Sequence, residues 1–427
     1  MSVFLVEGGH RLSGEIRPTG NKNAALPCIS AALLTAEPVT LENVPRIRDV
    51  ETLLEMIASL GAFVEWVGPN AVRIEARDIE SSTPDARFAE RIRASILAAG
   101  PLLARMGRAS LAPPGGDVIG RRRLDTHFVA FRGLGAQVTL DSHGFEVTGK
   151  LKGADIFLDE PSVTATENAV MAAVLAEGET RLRNAAAEPH VQDLCALLQA
   201  MGAHIEGVGT HVLEIEGVSR LGGADYHLQA DHIETGSFIG LAAVTGSVLT
   251  VKDAPLPHLD SILLAFQRLG VACEVSGNDL VVHGDRDREI RHDAFGHLPK
   301  IDDGPWPAFP ADLTSIALVT ATQCRGTVLI HEKMFESRMY FTDKLVAMGA
   351  QIILCDPHRA VVVGPAPLRA APLESPDIRA GMAMLLAALA AEGTSRIQNI
   401  RQIERGYERI DERLRGVGAK IQRIDGG

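Results

Sequence analysis

The chain has 427 residues, a hydrophobic content of 46% and a formal net charge of −12 at pH 7. This size and composition predict a globular protein of two or three domains, and the acidic balance argues against a nucleic-acid partner, which would require a basic surface. The sequence shows neither a signal-type leader nor an apolar run of about 18 residues, so we expect a cytoplasmic protein with no membrane partner.

The five cysteines are widely spaced and match no metal-binding pattern. An odd number of scattered cysteines indicates reduced thiols that pack as small apolar side chains. They are Cys28, Cys195, Cys273, Cys324 and Cys355. The sequence therefore predicts no metal site.

The N-terminal segments SVFLVEGG and SGEIRPTG predict two strands, and a sixfold repeat follows them. A tag, Leu-Gly-Ala or a close variant, recurs at intervals of about 70 residues, which is typical of repeated structural units. The tags are Leu60-Gly61-Ala62, Leu134-Gly135-Ala136, Met201-Gly202-Ala203, Leu269-Gly270-Val271, Met348-Gly349-Ala350 and Val417-Gly418-Ala419.

Each repeat predicts a helix, a strand, a second helix and a hairpin. The first helix, as in NAALPCISAALLT, is apolar nearly all round and is expected in a core. The second, as in DVETLLEMIASLGA, is amphipathic and ends at the tag glycine. The last repeat stops one strand early, so we expect the N-terminal strands to complete it.

Three repeats would make one domain over residues 22–230, and the other three, with residues 1–21, a second domain over 231–427. Two chain crossings near residues 21 and 230 would join them, which predicts a hinge and a cleft that holds the active site. A single rigid array, in which the repeat only fills volume, is the alternative.

Within the second repeat, a loop carries residues that are suited to binding an anion. Two prolines and two glycines lead to one carboxylate, Asp117, and three arginines follow at positions 121–123. Glycine gives a lid its backbone freedom, and guanidinium groups recognise phosphate or carboxylate with paired hydrogen bonds. The alternative for loop 113–123 is a solvated basic turn.

Charged residues recur at the starts of the apolar helices and at nearby corners. Taken singly, each is typical of a surface charge or a helix cap. Their recurrence at one position of the repeat favours a shared wall of the cleft. They are Lys22, Arg93, Asp312, Glu336, Arg338, Asp377, Arg379 and Arg405.

These residues lie in motifs that resemble the enolpyruvyl transferase family over essentially the whole chain. The motifs are GNKNAALP, IRAS, PPGGDVIG, AFPADL, FESR, PDIRA and ERGYERID. The resemblance is greatest to the bacterial branch that acts on UDP-N-acetylglucosamine. It implies an α/β (α+β) fold of two inverse α/β-barrel-like domains, each of three βαβαββ units.

The resemblance also implies an activity and a set of site residues. The expected reaction transfers the enolpyruvyl group of phosphoenolpyruvate to the 3-hydroxyl of UDP-N-acetylglucosamine with release of phosphate, without a metal or cofactor. Phosphoenolpyruvate would be held by Lys22, Arg93, Arg122, Arg338, Arg379 and Arg405. The acceptor would meet Asn23, Arg93, Arg123, Asp125, Ser162, Val163, Thr164, Asp312 and Met334. Asp117 would act as the acid and Asp312 as the base. Lys22 would be the third catalytic residue.

Several positions depart from the family pattern. Asp117 stands where many members carry cysteine, which predicts insensitivity to the thiol-alkylating epoxide fosfomycin. On the acceptor side, Glu160 and Thr164 replace the usual lysine and glycine, Arg123 replaces proline and His232 replaces arginine. Two alternatives therefore stay open: a different nucleotide or nucleotide-sugar acceptor, or an inactive ligand-binding paralogue.

Overall fold

The computed structural model describes residues 2–117 and 119–424. The chain divides into two compact units. The terminal unit comprises the described residues of Met1–Thr19, Val118–Arg121 and Ala230–Gly427, and the central unit comprises Gly20–Asp117 and Arg122–Gln229. Each unit has its own continuous hydrophobic core.

The described ranges contain helices that are almost completely buried and helices with one exposed face. They are α1 (Lys22–Ala31), α2 (Arg48–Ser59), α3 (Ala86–Ala89), α4 (Ala99–Met106), α5 (Asp125–Gly133), α6 (Val163–Ala173), α7 (Pro189–Ala200), α8 (His232–Val244), α9 (Asp260–Arg268), α10 (Thr314–Ala321), α11 (Thr342–Ala347), α12 (Ile378–Ala390) and α13 (Ile410–Gly416). Short 3₁₀ turns include Arg93–Ala98, Ala311–Leu313 and Ile403–Arg405.

The strands of the described residues are short. They are β1 (Val3–Glu7), β2 (Ser13–Ile16), β3 (Val39–Glu42), β4 (Phe63–Gly68), β5 (Ala71–Glu75), β6 (Arg108–Leu111), β7 (Gln137–Asp141), β8 (Gly144–Thr148), β9 (Asp155–Phe157), β10 (Glu179–Arg183), β11 (His204–Glu206), β12 (Val212–Glu216), β13 (Ala224–His227), β14 (Val248–Val251), β15 (Ala272–Ser276), β16 (Asp279–His283), β17 (Lys300–Asp302), β18 (Gly326–His331), β19 (Gln351–Asp356), β20 (Arg359–Gly364), β21 (Pro372–Glu374), β22 (Thr394–Gln398) and β23 (Lys420–Ile424).

The predicted repeat is confirmed in the order and pairing of these elements. In the third repeat, β9, α6, β10, α7 and the hairpin β11–β12 follow one another, and the strands pair in the order β11-β12-β10-β9. Strand β9 is parallel to β10, and the other pairs are antiparallel. The same order recurs in β15-β16-β14-β2 and β17-β18-β20-β19.

Two sheets are completed by strands that are distant in sequence. Strand β1 lies between β22 and β23, antiparallel to both, so the chain start supplies the inner strand of the last repeat. Strand β13 lies parallel to β3 and fills the first position of the first repeat. Each sheet thereby gains backbone partners that its own repeat does not supply.

The second repeat departs from the predicted βαβαββ pattern. Its sheet has three strands, β6-β8-β7, and the place of the first strand is taken by a loop and the short helix α3. Asp85 begins that helix because its carboxylate accepts the Arg87 backbone N–H at 2.8 Å. The local cap therefore favours a helical turn where the other repeats form a strand.

The six tag glycines all have left-handed backbone angles, with φ between +80° and +107°. Residues with a Cβ rarely adopt this conformation, so glycine ends each amphipathic helix and turns the chain into the hairpin. The tag thus marks the same corner in every repeat.

The apolar helices lie at the centre of each unit. In the terminal unit α8, α10 and α12 contact one another, and every residue of α8 is buried. Gly240 permits this approach, since a Cβ there would lie 2.6 Å from Ile316 Cγ2. None of the helices in residues 2–117 and 119–424 has the length and apolar composition needed to cross a membrane.

Candidate active site

In the terminal unit, one carboxylate joins two buried arginines. Asp312, in the turn before α10, accepts a hydrogen bond from Arg338 Nη2 at 2.6 Å on one oxygen. Its other oxygen accepts from Arg379 Nε at 3.0 Å and Nη2 at 2.9 Å. Arg379 is placed by the start of α12, where the Asp377 carboxylate accepts the Arg379 backbone N–H at 2.8 Å. These three side chains, predicted from separate motifs, form one cluster.

The electrostatics of this cluster favour an anionic ligand. Burial alone would raise the pKa of Asp312, but the charges and hydrogen bonds of Arg379 and Arg338 hold it well below its usual range. The two arginine side chains are only 6–8% exposed. Arg338 Nε and Arg379 Nη1 have no hydrogen-bond partner among the described residues. Two buried N–H groups are therefore available to an additional acceptor.

A second acid, Glu332, interacts electrostatically with Arg338. The Glu332 side chain is fully buried, and one carboxyl oxygen accepts the Phe335 N–H at 3.2 Å. Burial is the main cause that raises the pKa of Glu332 to about 9, with a smaller opposing effect of Arg338 and a reinforcing effect of Asp303. Glu332 is thus protonated at neutral pH and does not compete with Asp312 for the positive charge of Arg338.

His232 lies in the same region of the terminal unit. Its ring centroid lies 5.9 Å from the centroid of Trp306, in an edge-to-face arrangement. The His258 ring makes a second edge-to-face contact with Trp306, with the centroids 6.2 Å apart. Burial first, and then the charges of His258 and Arg379, lower the pKa of His232 to about 3 despite nearby Asp312. His232 is therefore neutral at pH 7 and adds no cation.

The remaining predicted residues of the terminal unit lie on neighbouring turns. Arg405 ends the turn Ile403–Arg405, which packs against α12, and donates to Gln402 Oε1 at 2.8 Å. The Met334 N–H donates to Asp303 Oδ2 at 3.3 Å, and Met334 is exposed.

The central unit contains a buried ion pair at the start of α1. Lys22 Nζ lies 2.8 Å from Asp49 Oδ2, and both side chains are less than 9% exposed. The Asn21 side chain caps α1 by accepting hydrogen bonds from the backbone N–H groups of Asn23 and Ala24. The ammonium group is thus placed beside the positive end of a helix, where an anion is favoured.

The stem of loop 113–123 packs against the segment that carries Arg93. The Gly115 N–H donates to Ala89 O at 3.0 Å, and a Cβ on Gly116 would lie 3.0 Å from Arg93 Cβ. Arg93 Nη2 donates to Arg122 O at 2.8 Å. Burial, and then the charge of Arg122, lower the pKa of Arg93 to about 10. Arg93 and Arg122, two of the six residues predicted to hold phosphoenolpyruvate, therefore lie close together.

The tip of the same loop contacts the corner between β18 and α11 within the terminal unit. The Arg121 N–H donates to Glu336 Oε1 at 3.0 Å, and the Ser337 N–H donates to Ile119 O at 3.2 Å. Asp117, the predicted acid, is half-buried just before this tip. The loop is therefore tied by backbone hydrogen bonds at its stem and at its tip.

The predicted acceptor residues surround the starts of α5 and α6. Arg123 Nη2 lies 3.1 Å from Asp159 Oδ2 and 3.3 Å from Glu160 Oε2. Asp159 also accepts from the Thr126 hydroxyl at 2.7 Å. Glu160, which replaces the usual lysine, is thus paired with Arg123, which replaces the usual proline, so the two departures partly offset each other.

Three further predicted acceptor residues lie at the ends of these helices. Asp125 opens α5 and is exposed, whereas Ser162 is the N-cap of α6 and Val163 is its first residue. The first N–H groups of α6 have no intrahelical acceptor and are suited to anionic oxygens.

Comparison with known proteins assigns the family. A family profile described as EPSP synthase (3-phosphoshikimate 1-carboxyvinyltransferase) matches residues 6–414. Proteins named UDP-N-acetylglucosamine 1-carboxyvinyltransferase are 63% identical in Bradyrhizobium diazoefficiens, over 99% of this chain and 98% of the relative, and 57% identical in Treponema pallidum, over 99% of both. The chain belongs to the enolpyruvyl transferase family.

Solved structures show the same fold. The enolpyruvyl transferase NikO from Streptomyces tendae matches with a TM-score of 0.88 at 24% identity, over 100% of this chain and 99% of that one. EPSP synthase from Acinetobacter baumannii matches with a TM-score of 0.75 at 18% identity over 100% of both chains. The predicted fold class of this enolpyruvyl transferase is confirmed.

In this enolpyruvyl transferase, sequence reasoning missed Asp49 and Glu332. Asp49 stands in the first turn of α2, where an acidic residue is usually a favourable helix charge, and Glu332 follows a strand without any motif. Only their burial, the ion pair of Asp49 with Lys22 and the electrostatic interaction of Glu332 with Arg338 distinguish them. That all six predicted cations face one phosphoenolpyruvate stays a prediction.

Proposed function

We propose that the protein transfers the enolpyruvyl group of phosphoenolpyruvate to the 3-hydroxyl of UDP-N-acetylglucosamine and releases phosphate. Full-length relatives that carry this activity in their names support the choice of acceptor. The product would serve peptidoglycan synthesis in the cytoplasm. The observation that carries the proposal is Asp312 held between the buried guanidinium groups of Arg338 and Arg379.

The cations of both units suit the donor substrate. Phosphoenolpyruvate carries a phosphate and a carboxylate, and guanidinium groups bind each with paired, charge-assisted hydrogen bonds. Arg338 and Arg379 each retain a buried N–H group without a partner among the residues described. Lys22, Arg93, Arg122 and Arg405 would complete the cage.

Asp312 is proposed as the base. Its carboxylate is ionised because Arg379 and Arg338 stabilise its charge. When the anionic groups of phosphoenolpyruvate engage these arginines, the carboxylate loses part of that stabilisation, and its affinity for a proton rises. The base is thereby activated by the binding of the donor substrate.

The reaction proceeds by addition and then elimination. The acceptor oxygen bonds to C2 of phosphoenolpyruvate while its proton passes to Asp312, and Asp117 protonates the C3 methylene to give a tetrahedral intermediate. A C3 proton then returns to the Asp117 carboxylate, and the double bond is restored as the bond between C2 and the phosphate oxygen breaks. The cations stabilise the departing inorganic phosphate.

Release of inorganic phosphate from phosphoenolpyruvate tests the proposal with a panel of acceptors. UDP-N-acetylglucosamine should support turnover, and Asp312→Asn should reduce kcat by about 10²- to 10⁴-fold, the range for loss of a general base. The exposed Asp343→Asn, in the same unit, is the matched control. Turnover only with another nucleotide or nucleotide sugar would reassign the acceptor, and ligand binding without any turnover would indicate an inactive paralogue.

A further inference from the structure

A chain of buried hydrogen bonds in the central unit runs from α4 to the first turn of α6. The Gly100 N–H donates to Asn168 Oδ1 at 2.7 Å, and Asn168 Nδ2 donates to Ile96 O at 3.0 Å. The same amide nitrogen lies 3.0 Å from His127 Nδ1, and His127 Nε2 lies 3.1 Å from the Thr164 hydroxyl oxygen. His127 and Asn168 are both fully buried.

The backbone determines the direction of every bond in this chain. Gly100 can only donate and the Ile96 carbonyl can only accept, so the Asn168 amide has one possible orientation and its nitrogen must donate to His127. Burial is the main cause that lowers the pKa of His127 to about 3, with a further effect of Arg93, so the ring is neutral at pH 7. Its single proton therefore lies on Nε2 and is donated to Thr164.

The Thr164 hydroxyl must consequently use its own hydrogen elsewhere. It is an acceptor toward His127, and its hydrogen has no other acceptor among the described residues. Thr164 is the second residue of α6, next to the N–H groups that open this helix, and its side chain is only partly buried. A donor hydroxyl is thereby presented at the positive end of a helix.

We infer that the pair Asn168–His127 orients the Thr164 hydroxyl to donate a hydrogen bond to an oxygen of the acceptor's diphosphate. Thr164 is then a specificity-determining residue, and His127 and Asn168 are positioning residues that act through it. The inference rests on the proposed function and adds a recognition element to the acceptor half of the site. Nearby, the charge of Glu160 is paired with Arg123.

Isothermal titration with UDP and with uridine tests the inference. Thr164→Val should weaken UDP binding about tenfold, as expected for one hydrogen bond to a charged oxygen, and should leave uridine binding unchanged. Thr164→Ser keeps a hydroxyl and should restore most of the affinity. The exposed Thr139→Val, in the same unit, is the matched control. In turnover, Thr164→Val should raise KM for the nucleotide sugar without changing KM for phosphoenolpyruvate.

A double-mutant cycle tests the role of His127. His127→Leu should weaken UDP binding about threefold to tenfold, and His127→Leu with Thr164→Val should be no weaker than Thr164→Val alone. Thermal unfolding of each variant separates misfolding from lost recognition, and Thr164→Val alone keeps the test valid if His127→Leu does not fold.

The outcomes separate this inference from the proposed function. Equal UDP affinity of wild type and Thr164→Val, or an equal loss for UDP and uridine, would overturn the role of Thr164. Additive losses in the cycle would overturn the positioning role of His127. If the wild-type protein bound UDP but turned over only another nucleotide acceptor, the proposed acceptor would fail while this inference stood. If it bound no UDP at all, both would fail.

Discussion

The buried Glu332 is expected to make the terminal unit less stable as pH rises. The side chain is fully buried, and the pKa of its carboxyl is raised from 4.5 to about 9, chiefly by burial. Below pH 4.5 the group is protonated in both folded and unfolded chains and has no effect on stability. Between pH 4.5 and 9 the unfolded chain loses this proton and the folded chain keeps it, so stability is lost progressively.

The size of the effect follows from this difference. Each pH unit above 4.5 costs about 1.4 kcal/mol, so at pH 7 the penalty is about 3 kcal/mol, and it grows until pH reaches the folded-state value. Glu332→Gln removes the titration and keeps an oxygen for the Phe335 N–H. The variant should therefore be more stable than wild type at pH 7, more so at pH 8.5, and about equal to it at pH 4.5.

Urea denaturation at several pH values between 4.5 and 9 measures this difference. Glu374→Gln, at an exposed position of the same unit, is the matched control for the change from carboxyl to amide. A stability gain in Glu332→Gln that is constant with pH would contradict the reasoning, because it would reflect packing. A loss of stability that grows as pH rises would show that the ionised carboxylate is favoured in the fold.

Three other substitutions give distinct results. Asp117→Cys should introduce time-dependent inactivation by fosfomycin with a covalent adduct detected by mass spectrometry, whereas the wild-type protein, which has no thiol at this position, should keep its activity. Lys22→Met should lower the free energy of unfolding by about 3–5 kcal/mol because it breaks the buried ion pair between Lys22 and Asp49. Adding Asp49→Asn should restore stability in urea denaturation but not phosphate release, and restoration of both would contradict a role of Lys22 in binding the donor. Gly240→Ala should lower stability by about 1–3 kcal/mol in the same assay, since its Cβ would lie 2.6 Å from Ile316, and an unchanged midpoint would show that α8 and α10 can separate without cost.

The repeat, the helix types and the family could be predicted from the sequence because each depends on local order. The tag glycines mark helix ends through their own backbone angles, and apolar periodicity depends only on spacing along the chain. The sequence did not predict that the second repeat lacks its first strand. The short helix α3 stands in its place, and no sequence pattern distinguishes its N-cap, Asp85, from other surface aspartates.

The sequence by itself determined which residues carry charge near helix starts, but only the tertiary structure decided which charges meet. Asp312 and Arg379 are separated by 67 positions and Lys22 and Asp49 by 27, and no spacing rule links either pair. Burial then decided protonation: Asp312 is ionised between two cations, whereas Glu332 keeps its proton. Coulomb energy and desolvation depend on distance in space and exclusion of water, and both arise only when the repeats have packed.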